Sequence, residues 1–175
     1  MTTADEIMTP AGSMRITRAE PGDERAIVEI DLDVRQWLLS RDIDPGQPPR
    51  PIEDIVADRV AAGQVYLASI GGDPVATVTL LWEDPESWGD VPNDAVYVHG
   101  LAVRRAAAGN GIGRALLDWA ARTAVAAGRA HVRLDCMASN PALRDYYVRT
   151  GFTYRGDVTL GRYTLSRYEK SAREG

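Results

Sequence analysis

The sequence has few of the residues from which metal centres and disulfide frameworks are built. Among its 175 residues there is one cysteine, Cys136, and there are two histidines, His99 and His131. One cysteine excludes a disulfide within the chain, and with only two histidines it excludes a Cys/His metal cluster. We therefore expect the protein to bind no metal.

Long apolar runs and an excess of positive charge are also missing. No apolar run approaches the ~20 residues of a membrane-spanning helix, and the acidic N-terminal stretch MTTADEIMTPAGS does not resemble a signal peptide. The net charge is −5, whereas a nucleic-acid-binding domain usually carries a basic excess. We expect a cytoplasmic protein, a monomer or a homodimer, without nucleic-acid or membrane partners.

Hydrophobic periodicity divides the chain into strands and helices. We expect a flexible tail over residues 1–12 and a single domain over residues 13–170. The predicted order of elements is β-α-α-β-β-β-α-β-α-β-β, which indicates an α+β, or mixed α/β, fold. Its centre is a strand–helix–strand unit over residues 95–138, which should be a right-handed crossover between parallel strands. The patterns predict helices over residues 21–40, 52–63, 113–127 and 140–150, and a loop over residues 83–94.

The segment RRAAAGNGIGRALLDWA, residues 104–120, places three glycines in front of a helix. Backbone N–H groups at the start of a helix bind phosphate, and the helix dipole adds about half a positive charge there. A P-loop would need a lysine and a Ser/Thr after the last glycine, and both are missing. A dinucleotide site would need a glycine at the position of Arg114. It remains the less favoured alternative, although Asp135 stands near the position of the acidic residue that such a site uses to bind the ribose. The spacing favours a loop that holds a pyrophosphate.

Two stretches, LAVRRAAAGNGIGRALLDWA and RLDCMASNPALRDYYVRTGF, together resemble the GCN5-related N-acetyltransferases over Tyr97 to Phe152. In that family a [Q/R]xxGxG[A/G] loop grips the pyrophosphate of acetyl-CoA. The resemblance implies the acyl-CoA N-acyltransferase fold, with a central mixed sheet of six to seven strands and about four helices. The sequence departs from the family at Ala108, where a glutamine or arginine is usual. This departure does not affect the backbone N–H of Ala108, which can still contact the pyrophosphate.

The resemblance also implies which residues bind acetyl-CoA. In the family, the strand before the glycine loop bulges, and its free backbone groups bind the pantetheine arm and the thioester. Gly100 agrees with such a bulge. Asn140 matches the asparagine that bonds the pantetheine arm, although an N-cap before Pro141 is an equally good interpretation and the two roles are compatible. Carried over, the set is Leu101, Ala102, Val103, Ala108, Gly109, Asn110, Gly111, Ile112, Gly113, Arg114 and Asn140.

Tyr147 and His99 are the candidate catalytic residues. Tyr147 stands four residues before Gly151, where the family places the tyrosine that protonates the departing thiolate; a core aromatic residue is the alternative. His99 lies two residues before Leu101 on the same strand face, and an imidazole titrates near working pH. It is our candidate general base, with Glu83 and water chains as alternatives.

The expected function is transfer of the acetyl group of acetyl-CoA to a primary amine of a small molecule or peptide, by direct attack in a ternary complex. A ping-pong route through Cys136 is disfavoured, because that residue is expected to be a small buried hydrophobe. The alternative function is a non-catalytic acyl-CoA-binding regulatory module on the same fold. In the family, the first two helices and the last hairpin bound the acceptor. Here these segments offer Trp37, Asp42, Asp44, Glu53, Asp54 and Tyr163, whose carboxylates could attract a cationic amine.

Overall fold

A computed structural model describes residues 4–173, and they divide into two compact units. The first unit contains the described residues up to Asp42, with Gln47–Thr79 and Gly100–Leu116. The second unit contains Ile43–Gly46, Leu80–His99 and the described residues from Leu117 onward. The single domain over residues 13–170 stays a prediction. Among the described residues, no helix has both the length and the apolar character needed to cross a membrane.

The first unit is built on antiparallel strands in the order β1-β2-β3-β4. In β2, buried Met14 and Ile16 alternate with exposed Ser13 and Arg15, as a half-buried strand requires. The strands and helices of this unit are β1 (Asp5–Thr9), β2 (Gly12–Arg18), α1 (Glu24–Leu39), α2 (Ile52–Ala61), β3 (Val65–Ile70) and β4 (Asp73–Leu81). Its core contains Ala19, Ile27, Ile30, Val56, Val60, Val65, Leu67 and Ala102.

Strand β1 occupies residues 5–9 of the flexible tail that we expected over residues 1–12. Asp5 pairs with Ile16 and Thr9 with Gly12, so the segment is the edge strand of a hairpin. Its side chains are largely exposed, and that is why hydrophobic patterning did not reveal it. Residues 1–3 of the expected tail lie outside the described residues.

The second unit has the strand order β5-β6-β8-β7. Strands β5 and β6 are parallel, with Ala95 opposite His131 and Val98 opposite Leu134. This confirms the predicted parallel pairing, and helix α4 lies between the two strands in the chain. The right hand of the crossover stays a prediction. Strand β8 pairs antiparallel with both β6 and β7. The elements in chain order are α3 (Pro85–Trp88), β5 (Ala95–Val103), α4 (Ile112–Ala126), β6 (His131–Met137), α5 (Pro141–Arg149), β7 (Thr153–Leu160) and β8 (Tyr163–Ser171).

The predicted fold class is correct, but the described residues contain eight strands and five α-helices rather than six to seven and about four. The additional strand is β1, and the additional helix is α3, which lies in the predicted loop over residues 83–94. Asp84 begins α3 by accepting a hydrogen bond from the Ser87 N–H, and Pro85 occupies the first turn. This single turn is too short to give a helical hydrophobic period.

Candidate active site

The glycine loop joins β5 to α4, and two of its glycines have left-handed backbone conformations. Gly109 and Gly111 have φ of +83° and +72°, a region that residues with side chains rarely adopt. The Asn110 side chain donates to the Ala107 carbonyl at 3.1 Å and closes the turn. The first helical bond of α4 runs from the Ala115 N–H to the Gly111 carbonyl. The N–H groups of residues 112–114 come before it, and such groups at a helix start can bind an anion.

Two arginines fix the approach to the loop within the first unit. The Arg105 N–H donates to Asp33 of α1 at 2.7 Å, and its guanidinium lies 3.8 Å from the centre of the Trp37 ring. The Arg104 side chain donates to the Pro74 carbonyl at 2.9 Å and pairs with Glu29 at 3.6 Å. The loop therefore starts from a backbone that α1 and β4 hold in place.

The end of β5 is irregular at Gly100, as the resemblance led us to expect. Gly100 has a φ of +54°, and a Cβ there would lie 3.5 Å from the Thr79 hydroxyl. The described register between β5 and β6 ends before it, at Val98. A left-handed glycine is typical of a bulge, which leaves backbone groups unpaired. Beyond it, Ala102 is buried, while Leu101 and Val103 are half-buried.

In the second unit, His99 forms an acid–base group with two aspartates. The Nε2 atom of His99 lies 2.8 Å from Oδ2 of Asp84. One nitrogen or oxygen atom from each of Asp84, His99 and Asp135 lies within 4.8 Å of the others. Oδ2 of Asp135 is buried and has no hydrogen-bond partner among the described residues. We refer to these three residues as the acid–base group.

The two aspartates of the group have opposite pKa shifts. Burial would raise the pKa of Asp84, but the hydrogen bond and the charge of His99 outweigh it, so the pKa is lowered. Burial raises the pKa of Asp135, with a smaller opposing effect of His99 and a further increase from the charge of Asp84. The charged form of Asp84 is thus stabilised beside the imidazole, whereas burial destabilises the charged form of Asp135.

Three side chains of these types could also contact a divalent cation. In this group, however, His99 Nε2 and Asp84 Oδ2 are joined to each other, and the positive charge of Arg167 acts on Asp135. We therefore describe the cluster as a hydrogen-bonded group of titratable side chains. The absence of a metal stays a prediction.

Tyr147 is a buried residue of α5. Its ring contacts those of Tyr146, Phe152 and Tyr168, with centroids 5.6–5.8 Å apart. Burial raises the pKa of Tyr147, so the phenol keeps its proton at any working pH. Tyr146 is only half-buried, and this separates it from the predicted acid. At the start of the same helix, Asn140 accepts from the Leu143 N–H at 3.1 Å, so the N-cap interpretation is correct.

Cys136 is a buried residue of β6. Burial raises the pKa of its thiol to about 12. The sulfur therefore stays protonated at neutral pH and is a poor nucleophile, because the thiolate is the reactive form.

A cavity of about 450 Å³ lies in the second unit between the Asp44 loop, the end of β6 and the β7–β8 turn. It contains both signs of charge, from Asp44 and Arg162. The Arg162 guanidinium lies 4.9 Å from the centre of the Tyr163 ring. Of the acceptor residues implied by the resemblance, Asp44 and Tyr163 line this cavity. The lining residues are Asp44, Met137, Ala138, Ser139, Arg162, Tyr163 and Thr164.

Asp84 is the residue that our interpretation of the sequence missed. We named its neighbour Glu83 as an alternative base, but Glu83 is exposed, whereas Asp84 is buried and bonded to His99. A signal was present in the stretch DPES. An Asp followed by a Pro is a typical helix start, and it would have placed a fixed carboxylate there.

Comparison with known proteins identifies the family of the chain. The acetyltransferase (GNAT) family matches residues 31–152. YesJ of Bacillus subtilis, described as an uncharacterized N-acetyltransferase, is 30% identical over 147 residues, covering 79% of this chain and 81% of YesJ. Fold and sequence together thus define an acyltransferase. The chain belongs to the GCN5-related N-acetyltransferase family, which confirms the resemblance.

Solved structures share the fold at lower identity. A GNAT acetyltransferase from Listeria monocytogenes has a TM-score of 0.75 at 23% identity, covering 95% of this chain and 99% of its own. The protein yncA of Salmonella typhimurium, solved with its cofactor acetyl-CoA, has a TM-score of 0.64 at 20% identity, covering 91% and 94%. These likenesses confirm the acyl-CoA N-acyltransferase fold.

Proposed function

We propose that the protein transfers the acetyl group of acetyl-CoA to a primary amine of a small molecule or peptide, by direct attack in a ternary complex. The observation that carries this proposal is the hydrogen bond between His99 and the buried Asp84 carboxylate. A module that only binds acyl-CoA has no need of an imidazole held by a fixed carboxylate. An acetyltransferase needs one to remove a proton from the amine, since an alkyl ammonium has a pKa of about 10.4.

Acetyl-CoA is the cosubstrate of this proposal, as it is the cofactor bound to the Salmonella typhimurium protein. The left-handed glycines support pyrophosphate binding by the loop, because neither carries a side chain that would block the backbone N–H groups. The irregular strand end at Gly100 supports pantetheine binding by Leu101, Ala102 and Val103. The Asn140 oxygen caps α5, so its amide NH₂ is the part that would bind a pantetheine carbonyl. The proposed loop contacts are Ala108, Gly109, Asn110, Gly111, Ile112, Gly113 and Arg114.

The proposed chemistry needs one base and one acid. His99 takes a proton from the acceptor ammonium, and the free amine attacks the thioester carbonyl. His99 passes this proton to solvent and then takes a second N–H proton from the tetrahedral intermediate, which breaks its C–S bond. The second proton also leaves His99 for solvent. Tyr147 gives its proton to the departing thiolate and regains one from water. The products are the N-acetyl amine, CoA and one proton released to solvent.

Burial affects both partners of the last proton transfer. A phenol with a raised pKa is a weaker acid than usual. A thiolate in desolvated surroundings is destabilised for the same reason. Desolvation of the thiolate therefore offsets part of the loss of acidity that burial causes in the phenol.

Direct transfer, rather than a ping-pong route, is supported by Cys136. A thiol with a pKa of about 12 would need a strong base to form an acetyl-enzyme. For the acceptor, Asp44 in the cavity of the second unit offers a carboxylate that could pair with a cationic amine, although Arg162 in the same lining opposes a positive charge. The cytoplasmic location and the monomeric or homodimeric state stay predictions.

The test is an assay of CoA release from acetyl-CoA over a panel of amines, together with thermal shifts caused by acetyl-CoA and NAD. We expect acetyl-CoA, and not NAD, to raise the melting temperature, and at least one cationic amine to be acetylated. Tight acetyl-CoA binding without turnover on any amine would favour a binding module. A shift with NAD alone would contradict both.

A further inference from the structure

We propose that Asp84 is a positioning residue that fixes the tautomer of His99, so that Nε2–H points at the carboxylate and Nδ1 carries the lone pair that removes the proton from the acceptor amine. This inference rests on the proposed function, in which His99 is the base. The inference adds that Nδ1 is the basic nitrogen of His99 and that Asp84 determines which of the two ring nitrogens is basic.

The orientation of the Asp84 carboxylate is fixed at both oxygens. Oδ1 accepts from the Ser87 N–H at 3.2 Å as the cap of α3, and Oδ2 lies 2.8 Å from His99 Nε2. A carboxylate can only accept hydrogen bonds, so in the neutral imidazole the proton must lie on Nε2. The Asp84 side chain is 8% exposed and that of His99 is 22% exposed. The ring is thus accessible to a substrate, whereas its partner is not.

Asp135 is the second carboxylate that faces the ring. Burial raises the pKa of Asp135, while the charge of His99 and, more weakly, that of Arg167 act in the opposite direction. When His99 takes a proton on Nδ1, the N–H bond of the acceptor ammonium breaks and one positive charge moves to the imidazolium. That charge then lies beside Asp84 and within reach of Asp135. Asp84, Asp135 and Arg167 are the charged groups that act on this part of the site from α3, β6 and β8.

The informative variant is Asp84→Asn. Its side-chain oxygen must still accept from the Ser87 N–H to cap α3, so the amide NH₂ turns towards His99. Because an NH₂ group donates a hydrogen bond, Nε2 of the imidazole must accept it, and the proton of the neutral ring must then lie on Nδ1. The residue keeps its shape and its cap, but the nitrogen that should act as base is now protonated. We expect kcat to fall roughly 10²- to 10⁴-fold, the range of general-base catalysis, with the KM for acetyl-CoA unchanged.

The tautomer is measured directly by two-bond ¹⁵N–¹H NMR of the imidazoles, at a pH at which both rings are neutral. The protein has only one other histidine, His131, which serves as the internal reference. We expect His99 to be the Nε2–H tautomer in the unsubstituted protein and the Nδ1–H tautomer in Asp84→Asn. The matched control is Glu86→Gln, which removes one charge from an exposed carboxylate of the same helix. It should change neither the tautomer nor kcat.

An unchanged His99 tautomer in Asp84→Asn would overturn the inference whatever happens to turnover. A changed tautomer with unchanged kcat would overturn it too, because the orientation of the ring would then have no catalytic consequence. If the unsubstituted protein acetylates no amine, the proposed function fails. The NMR measurement needs no substrate, so the two failures are distinguishable.

Discussion

The glycine loop and the acid–base group are built in different ways. The loop presents backbone N–H groups, and its shape depends on two left-handed glycines a residue apart, Gly109 and Gly111. The acid–base group presents side chains from a helix cap, β5 and β6, with Asp84 and His99 fifteen residues apart in the chain. A substitution that changes one backbone angle of the loop should therefore weaken acetyl-CoA binding. The loss of one proton-carrying side chain should instead lower turnover. We expect binding and turnover to be separable by mutation.

The largest effect on turnover after that of Asp84→Asn should come from Tyr147, which carries a proton in the proposed mechanism. We expect Tyr147→Phe to lower kcat about a hundredfold, at the lower end of general acid catalysis, with little change in the affinity for acetyl-CoA. The ring remains to contact Phe152 and Tyr168, so the fold should be kept. Tyr146→Phe is the control, because it removes the same hydroxyl from the half-buried neighbour. Equal turnover of Tyr147→Phe and the unsubstituted enzyme would refute the acid role.

The complementary change is in the backbone of the loop. We expect Gly111→Val to weaken acetyl-CoA binding about 10- to 100-fold, because a left-handed β-branched residue costs about 1–3 kcal/mol and the loop would rearrange. Its Cβ would also lie 3.6 Å from Pro10 of the β1–β2 turn. Isothermal titration calorimetry measures the loss.

The control for this change is Gly71→Val, which places the same strain at a φ of +62° in the β3–β4 turn, with no atom within 4 Å of the new Cβ. It should lower stability but leave acetyl-CoA affinity unchanged. Near-normal affinity of Gly111→Val would mean that the pyrophosphate binds elsewhere.

The contrast between loop and acid–base group also explains what the sequence could predict. Glycine spacing and the start of α4 are local properties, and the structure begins that helix at Ile112, one residue before the predicted start. His99 lies close to Asp135 because of the parallel register of β5 and β6, and no local sequence pattern predicts that register. Asp84 was missed because a one-turn helix has no hydrophobic period. Strand β1 was missed because an exposed edge strand buries too little to show alternation.

A stability measurement would test the electrostatics of the acid–base group without any substrate. The pKa of Asp135 is raised in the folded protein, so the folded state binds its proton more tightly than the unfolded chain does. This contribution is complete below the unfolded pKa of about 3.9 and is lost as pH rises through the folded pKa. We expect Asp135→Asn to raise the melting temperature near neutral pH, and the gain to disappear near about pH 4.

Asp157→Asn is the contrasting control for that measurement. Hydrogen bonds from Ser166 and Tyr154 lower the pKa of Asp157, so its contribution is present at neutral pH and is lost as pH falls through the folded pKa. Its replacement should lower the melting temperature at neutral pH and matter less in acid. A lower melting temperature of Asp135→Asn at neutral pH would contradict the raised pKa.

The smallest effect should come from Cys136, the single cysteine of the sequence, which the proposed mechanism does not use. Its thiol has a pKa of about 12, so at neutral pH almost no thiolate exists to accept an acetyl group. We expect Cys136→Ala to keep kcat within about twofold and to cost about 1 kcal/mol of stability, as a small core truncation does. Initial-velocity lines should intersect, and acetyl-CoA alone should leave no acetyl group on the protein by mass spectrometry. Parallel lines together with loss of turnover in Cys136→Ala would mean that the acetyl group passes through this sulfur, and His99 would then have to activate a thiol rather than an amine.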